Sequence, residues 1–215
     1  MPYTYDYPRP AVTVDAVVFT LYEGALSAAL VERGRDPFAG RLALPGGYIE
    51  IDEDLEAGAR RELAEETGLA ELEWFDPFGF FGAVDRDPRG RTISLAFVGF
   101  APIPAPALKG GDDAASARWT PLDQAVDLAF DHDLILEEAV KKLVPALMRS
   151  TMRADGVLGG EPGSRRRKKN KIDLEAEEKI DQYQDAMRQA YERFLDKKKF
   201  RFSNMFRPKN DDESL

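Results

Sequence analysis

No cysteine and only one histidine, His132, occur among the 215 residues. Disulfides, thiolate-bound metals and any centre built from several imidazoles are therefore excluded, and the missing cysteines fit a reducing cytosol. No apolar run reaches the roughly 18 residues that a membrane-spanning helix needs. Residues 1–10 are rich in tyrosine and proline and hold no apolar stretch of the secretory kind. A cytoplasmic protein without membrane contact is expected. Positive charge is scarce over most of the chain: residues 1–160 hold 15 basic and 27 acidic side chains, a net charge of −12. A body of that sign binds an anionic ligand only with the help of metal ions or a few well-placed arginines.

What is present divides the chain. Hydrophobic residues make up 43%, enough for one core of ordinary size with an appendage. Residues 161–215 hold 15 basic and 12 acidic side chains, or +3, so the charge balance reverses near residue 160. We expect a folded domain over 1–150, a flexible basic linker over 151–171 and a helical tail over 172–215. In the tail, Ile180, Tyr183, Met187, Tyr191 and Phe194 recur at three- and four-residue spacing, which predicts an amphipathic helix over 173–196. Such a stripe requires cover from the body, from a second copy in a homodimer, or from another molecule. The basic run reads as a solvated linker, with nucleic acid as the sharper alternative.

Within the body, β-branched residues 11–20 predict a buried strand, followed after a Glu23-Gly24 turn by a second strand over 26–32. Residues 33–41 read as a loop. Residues 72–84 and 91–100 predict two long strands joined by 85–90. Proline-rich 101–107 is a loop and 115–120 a short last strand. Two helices are predicted next, 122–128 and 134–148, the second capped by Asp131 or Asp133. Strands with interspersed helices, in no regular βαβ series, imply an α+β class: a mixed sheet sandwiched by helices.

The most informative stretch is residues 47–69. Asp52 or Asp54 is a suitable N-cap, residues 55–67 are helix formers apart from Gly58, and Gly68 stands where a helix takes a left-handed stop. Glu62, Glu65 and Glu66 fall at i, i+3 and i+4, so three carboxylates share one face. Each like-charge pair costs a few tenths of a kcal/mol on a bare helix, which a cation would offset. Three hard oxygen donors suit Mg²⁺ or Mn²⁺. The plain alternative is a solvated acidic face. Against it stands the preceding Leu44-Pro45-Gly46-Gly47 turn, whose two glycines let backbone approach a ligand and free a carbonyl for a metal.

Gly47, Glu53, Arg61, Glu62, Leu63, Glu65, Glu66, Gly68 and Leu69 match the pattern G-x5-E-x7-R-E-U-x-E-E-x-G-U, with U aliphatic. Seven invariant letters, each at a usage of roughly one in fifteen, make a chance match remote. In this the chain resembles the Nudix hydrolases, whose fold is an α/β/α sandwich. The resemblance implies an Mg²⁺- or Mn²⁺-dependent enzyme that cuts the pyrophosphate of a nucleoside diphosphate derivative. It also implies roles: Gly46 as a carbonyl ligand, Glu65 and Glu66 as principal metal ligands, Glu62 as ligand or base, Glu53 as a helper near the metal, and Arg61 as the ion-pair brace of the cluster.

Residues 8–15, 33–38, 85–91 and 129–132 look like the Nudix subgroup that recognises ADP-ribose, and the likeness runs over about residues 8–149. That subgroup includes ADP-ribose pyrophosphatases and transcriptional regulators of NAD metabolism. It implies cleavage of ADP-ribose to AMP and ribose 5-phosphate. The competing reading is a regulator that senses ADP-ribose, but such regulators carry a winged-helix module, and the tail here predicts one helix and no hairpin. Another dinucleotide or nucleotide fits the same pattern. Arg33, Arg35, Arg89 and Arg91 can make bidentate contacts with phosphate, or serve as plain surface residues. Asp85 and Asp87 can complete a metal shell or act as base, although an Asp-Pro turn accounts for Asp87 equally well. His132 suits a ribose or phosphate contact, or a local hydrogen bond. Phe78, Phe80, Phe81 and Phe97 include candidates for stacking on a base, and none is assigned.

Overall fold

Residues 11–22 place one charge, Asp15, in an otherwise apolar and β-branched run, the composition of a strand covered on both faces. In the computed structural model they form β1 (Ala11–Tyr22), the central strand. The structure describes residues 5–111, 114–142 and 189. A two-residue turn at Glu23 and Gly24, with φ of 51° and 77°, folds β1 onto β2 (Ala25–Arg33). Such turns match the twist of a hairpin.

The remaining elements are β3 (Leu42–Ala43), β4 (Gly46–Tyr48), α1 (Leu55–Thr67), β5 (Trp74–Phe81), β6 (Thr92–Phe100) and β7 (Ala114–Pro121). A second helix, α2, begins at 132 and is described to 142. The sheet has the order β3-β2-β1-β6-β5, with β7 on the other side of β2 and β4 beside β1. It is mixed, because β1 runs parallel to β6 and antiparallel to β2.

Side chains of β1 alternate between two cores, as a strand's period of two dictates. Val14, Ala16 and Val18 join Ala59 and Leu63 of α1 on one face. Val17 and Phe19 join Ile135, Leu136, Ala139 and Val140 of α2 on the other. The result is the expected α/β/α layering. No helix among the described residues is long and apolar enough to cross a membrane.

One irregularity in the sheet creates room. β1 and β2 pair only over Phe19–Tyr22 and Ala25–Ala28. Farther along, β3 takes the place beside Val31 and Glu32 of β2, while β4 pairs with Thr13, Val14 and Asp15 of β1. The two strands splay, and the Leu44-Pro45 turn bridges the gap.

Several sequence expectations need correction. β3 and β4 were not expected, being too short to carry a periodic signal. β5 is shorter than 72–84, since its pairing with β6 ends at Trp74 opposite Phe100 and Phe81 opposite Ser94. Residues 122–128 form no helix: Gln124 and Ala125 donate to the Pro121 carbonyl, and Asp127 then turns left-handed at φ 57°. Leu122, Ala125 and Leu128 are nonetheless buried, so the apolar spacing was real but belonged to a turn. α2 starts two residues before 134. The Asp131 carbonyl accepts from Leu134 and Ile135, while its carboxylate is engaged elsewhere. α1 has its N-cap at Asp54, without a side-chain capping bond, and its left-handed C-cap at Gly68. The linker and tail expectations, and residues 143–148 of the second helix, lie outside the described residues except for Gln189, which is helical.

Candidate functional site

Where β1 and β2 splay, a cleft of about 400 Å³ opens. One wall is α1 with the Gly46–Tyr48 strand; the other is the end of β2 with the 85–90 loop and residues 130–132. Of the residues singled out in the sequence, the cleft collects Gly46, Arg61, Glu62, Glu66, Arg33, Arg35, Asp87, Arg89 and His132.

On the acidic wall Arg61 is the hub. It donates to Glu53 (Nη2 at 2.6 Å, Nε at 3.0 Å), to Glu62 (2.8 Å), to Glu65 (3.1 Å) and to the Tyr48 carbonyl (3.2 Å). These bonds raise the Arg61 pKa. Glu53, which also accepts from the Glu50 N–H at 2.7 Å, is held down to about 2, chiefly by Arg61. Glu65 is 60% exposed and lies outside the cleft lining.

Glu62 and Glu66 point into the cleft. Burial raises the Glu62 pKa against the pull of Arg61. Burial also pushes Glu66 up to about 7, with Glu62 and Asp15 adding to the shift and the Gly46 N–H and Arg33 opposing it. The Gly46 N–H donates to Glu66 Oε2 at 2.9 Å. Next to it, a Cβ on Gly47 would come within 2.5 Å of Glu62 Oε1, so only glycine lets this strand lie against the carboxylate.

The opposite wall is basic. Arg33 sits at an irregularity in the β2–β7 register, which ends the strand and re-aims its side chain. It donates to the carbonyls of Pro37 (2.8 Å) and Arg35 (3.5 Å). Arg89 is clamped by Asp87 at 2.7 Å and 3.0 Å, and Asp87 is itself buried, with its pKa lowered by Arg89 in spite of burial. The structure places Arg91 and Asp85 elsewhere. Arg91 ties the carbonyls of Gly82 and Ala83 across the base of the 85–90 loop, and Asp85 lines a second, more open cavity of about 380 Å³. Phe97 is core and stacks on Phe75 at 5.1 Å, Phe78 and Phe81 pack on the α2 core, and Phe80 is solvent-exposed. The aromatic rings lining the cleft are Tyr48, Phe130 and the His132 imidazole.

Between the walls lies a buried network that sequence reading missed. Asp15 accepts from Ser94 (2.5 Å) and Arg86 (3.3 Å), and Arg86 makes a fork to Asp131 at 2.9 Å and 2.7 Å. Burial alone would lower the Arg86 pKa; Asp131 and Asp15 reverse this and raise it. His132 faces Asp15 at 3.4 Å through Nε2, and its Nδ1 accepts from the Leu44 N–H at 2.9 Å. Burial lowers its pKa in spite of Asp15 and Asp131. The signal was available: a lone aspartate inside an apolar strand must be paired if buried. Thr13, also in the lining, has a buried hydroxyl without a protein partner among the described residues.

No group of three histidine or carboxylate side chains stands ready to hold a metal among the described residues. By donor chemistry the acidic wall still fits a hard divalent cation. Glu66 is mostly buried, has no ion-pair partner among the described residues and has a strongly raised pKa; with Glu62 it offers oxygen alone.

Comparison with known proteins agrees with this geometry. The NUDIX domain family matches residues 10–143, and the chain belongs to the Nudix family of pyrophosphohydrolases. It is 38% identical over 135 residues to the ADP-ribose pyrophosphatase of Methanocaldococcus jannaschii, covering 63% of this chain and 76% of that protein. It is 35% identical over 143 residues to the ADPR responsive transcriptional repressor NtrR of Acinetobacter baylyi, covering 64% of this chain and 56% of the repressor. The chain thus matches little more than half of the repressor's length. Among solved structures, the NUDIX domain of Shewanella oneidensis NrtR complexed with ADP ribose superposes with a TM-score of 0.60 at 31% identity, over 65% of this chain and 94% of that one.

Proposed function

We propose that the protein hydrolyses ADP-ribose to AMP and ribose 5-phosphate in this cleft, with Mg²⁺ or Mn²⁺ as cofactor. The observation that carries the reading is the pairing, across one cleft, of the Glu62/Glu66 wall with the Arg33/Arg89 wall. A diphosphate needs both: cations to neutralise it and hard carboxylates to hold one of those cations. ADP-ribose is favoured over other diphosphates by the similarity to the archaeal ADP-ribose pyrophosphatase and to the NrtR domain bound to that ligand.

Glu62, Glu66 and the Gly46 carbonyl would hold the metal ion, which when bound supplies positive charge against the diphosphate, and Glu65, now tied to Arg61 outside the cleft lining, would join them by turning from that ion pair. Arg61 braces Glu53, Glu62 and Glu65 from behind. Arg33 and Arg89, with Arg35 at the rim, hold phosphate oxygens. Glu62, half-buried in the cleft with its pKa raised by burial, accepts the proton of the attacking water as one phosphoanhydride P–O bond breaks. Arg91 ties the base of the 85–90 loop.

A second reading, an ADP-ribose-responsive regulator, is supported by the 35% identity to the repressor. One experiment separates the two. The full chain is given a panel of ADP-ribose, NADH, FAD, dinucleoside polyphosphates, triphosphates and capped RNA with each metal, and products are resolved by chromatography. Fastest cleavage of ADP-ribose supports the enzyme. Preference for a triphosphate or capped RNA refutes the substrate, and tight ADP-ribose binding without cleavage refutes catalysis.

A further inference from the structure

Phe130 adopts φ 53°, a left-handed backbone that bulky residues rarely accept. Its surroundings impose the conformation. Its ring meets Phe38 edge-on at 4.8 Å and His132 at 5.3 Å, and the neighbouring Asp131 is locked by Arg86. Over this ring lie two guanidiniums, Arg33 at 4.7 Å and Arg89 at 5.4 Å, both within the range of cation–π attraction. Arg89 also lies 5.3 Å over Tyr48.

Two cations so placed repel, and Arg33 responds: burial and then Arg89 lower its pKa. Asp87 offsets the charge of Arg89. Arg33 donates to backbone carbonyls and makes no ion pair among the described residues. The group therefore keeps one guanidinium without a contact ion pair among the described residues, half-buried and facing the acidic wall, where Glu66 attracts it from across the cleft.

We infer that Phe130 is a positioning residue whose ring seats Arg33 and Arg89 together as a single receptor for one phosphate group of the ligand. The inference rests on the reading that a diphosphate enters this cleft. It deepens that reading by making the two arginines act as a unit, set by a ring that itself makes no polar contact with the ligand. An aliphatic side chain of similar size offers neither guanidinium a π system, leaving Arg89 to Asp87 and Arg33 to its backbone carbonyls, with nothing to hold the two together.

The test is binding of inorganic pyrophosphate to the full chain by calorimetry in EDTA, which removes the metal's share. Phe130→Leu is expected to weaken pyrophosphate about tenfold, while Phe130→Tyr, which keeps the ring, retains wild-type affinity. Arg89→Ala is expected to weaken binding in the wild type and to add little on top of Phe130→Leu, the non-additivity of residues acting as a unit. If leucine fails to fold at this left-handed position, Phe130→Gly accepts the φ without strain and makes the same comparison. Wild-type affinity in a folded Phe130→Leu protein, or full additivity with Arg89→Ala, overturns the inference. Because pyrophosphate carries no nucleoside, this result is independent of which nucleotide derivative the substrate panel selects.

Discussion

The Leu44 N–H donates to Nδ1 of His132, 88 positions away, at 2.9 Å, and this fixes the imidazole proton on Nε2, facing Asp15. The histidine thereby anchors the backbone two residues before Gly46. His132→Ala leaves the Leu44 N–H and Asp15 short of partners and opens a hole, so we expect a loss of about 2–4 kcal/mol, read by urea unfolding. The pH sign follows from burial. The folded-state pKa lies below the ordinary 6.5, so the stability this group contributes is complete above that pH and drains away as pH falls toward the folded value. The wild type should lose stability over that acidic window, and His132→Ala should lose correspondingly less.

Arg61 binds three carboxylates and a carbonyl with one guanidinium. Arg61→Ala should lower kcat/KM by about 10–100-fold, accompanied by a weaker apparent metal affinity in a Mg²⁺ titration. Arg61→Lys should recover only part of this, because an ammonium lacks the planar fork that spans Glu53 and Glu62. Full recovery by lysine would show that charge alone matters here.

At Gly47 the close contact is with the far end of a flexible glutamate, so Gly47→Ala should leave the fold nearly intact. Activity should respond differently. Displacing Glu62 from the cleft is expected to reduce turnover by more than about tenfold, with the melting temperature within a few degrees of wild type. A large drop in melting temperature would mean that β4, not Glu62, gives way.

Glu66 supplies a second pH signature, opposite in sign to that of His132. Its folded pKa of about 7 exceeds the ordinary 4.5, so the metal-free protein should lose stability as pH rises through that interval. Glu66→Gln should flatten the trend and, near pH 8, make the EDTA-treated protein melt higher than wild type, while abolishing the stabilisation by added Mn²⁺ expected of the wild type. Thermal unfolding with and without metal measures both effects.

How much of this could be read from sequence follows from how local each feature is. α1, with Asp54 before it and Gly68 after it, is written in consecutive residues, and the Glu23-Gly24 hairpin likewise. The acidic wall was therefore legible. The basic wall was legible only as a set of arginines: Arg33 and Arg89 face the cleft, while Arg91, two residues from Arg89, is turned to the backbone of its own loop. The network of Asp15, Arg86 and Asp131 joins partners 71 and 45 positions apart, which no periodicity announces. Residues 122–128 misled for the reverse reason, because apolar residues three apart bury one face of a turn as well as of a helix.

The parallel pairing of β1 with β6 sets Val14 beside Leu95 and Phe19 beside Phe100. As the ribosome delivers the chain from its N-terminus, β1, β2 and the acidic helix emerge long before the strand that completes the middle of the sheet. Until about residue 100 has left the exit tunnel, the most apolar segment has one open edge and no cover from α2. Closing so distant a contact is slow compared with hairpin or helix formation. The helix that bears Glu62 and Glu66 thus rests on a strand whose far edge closes only when β6 arrives, and on the proposed reading competence to hold a metal would come late, with the whole domain.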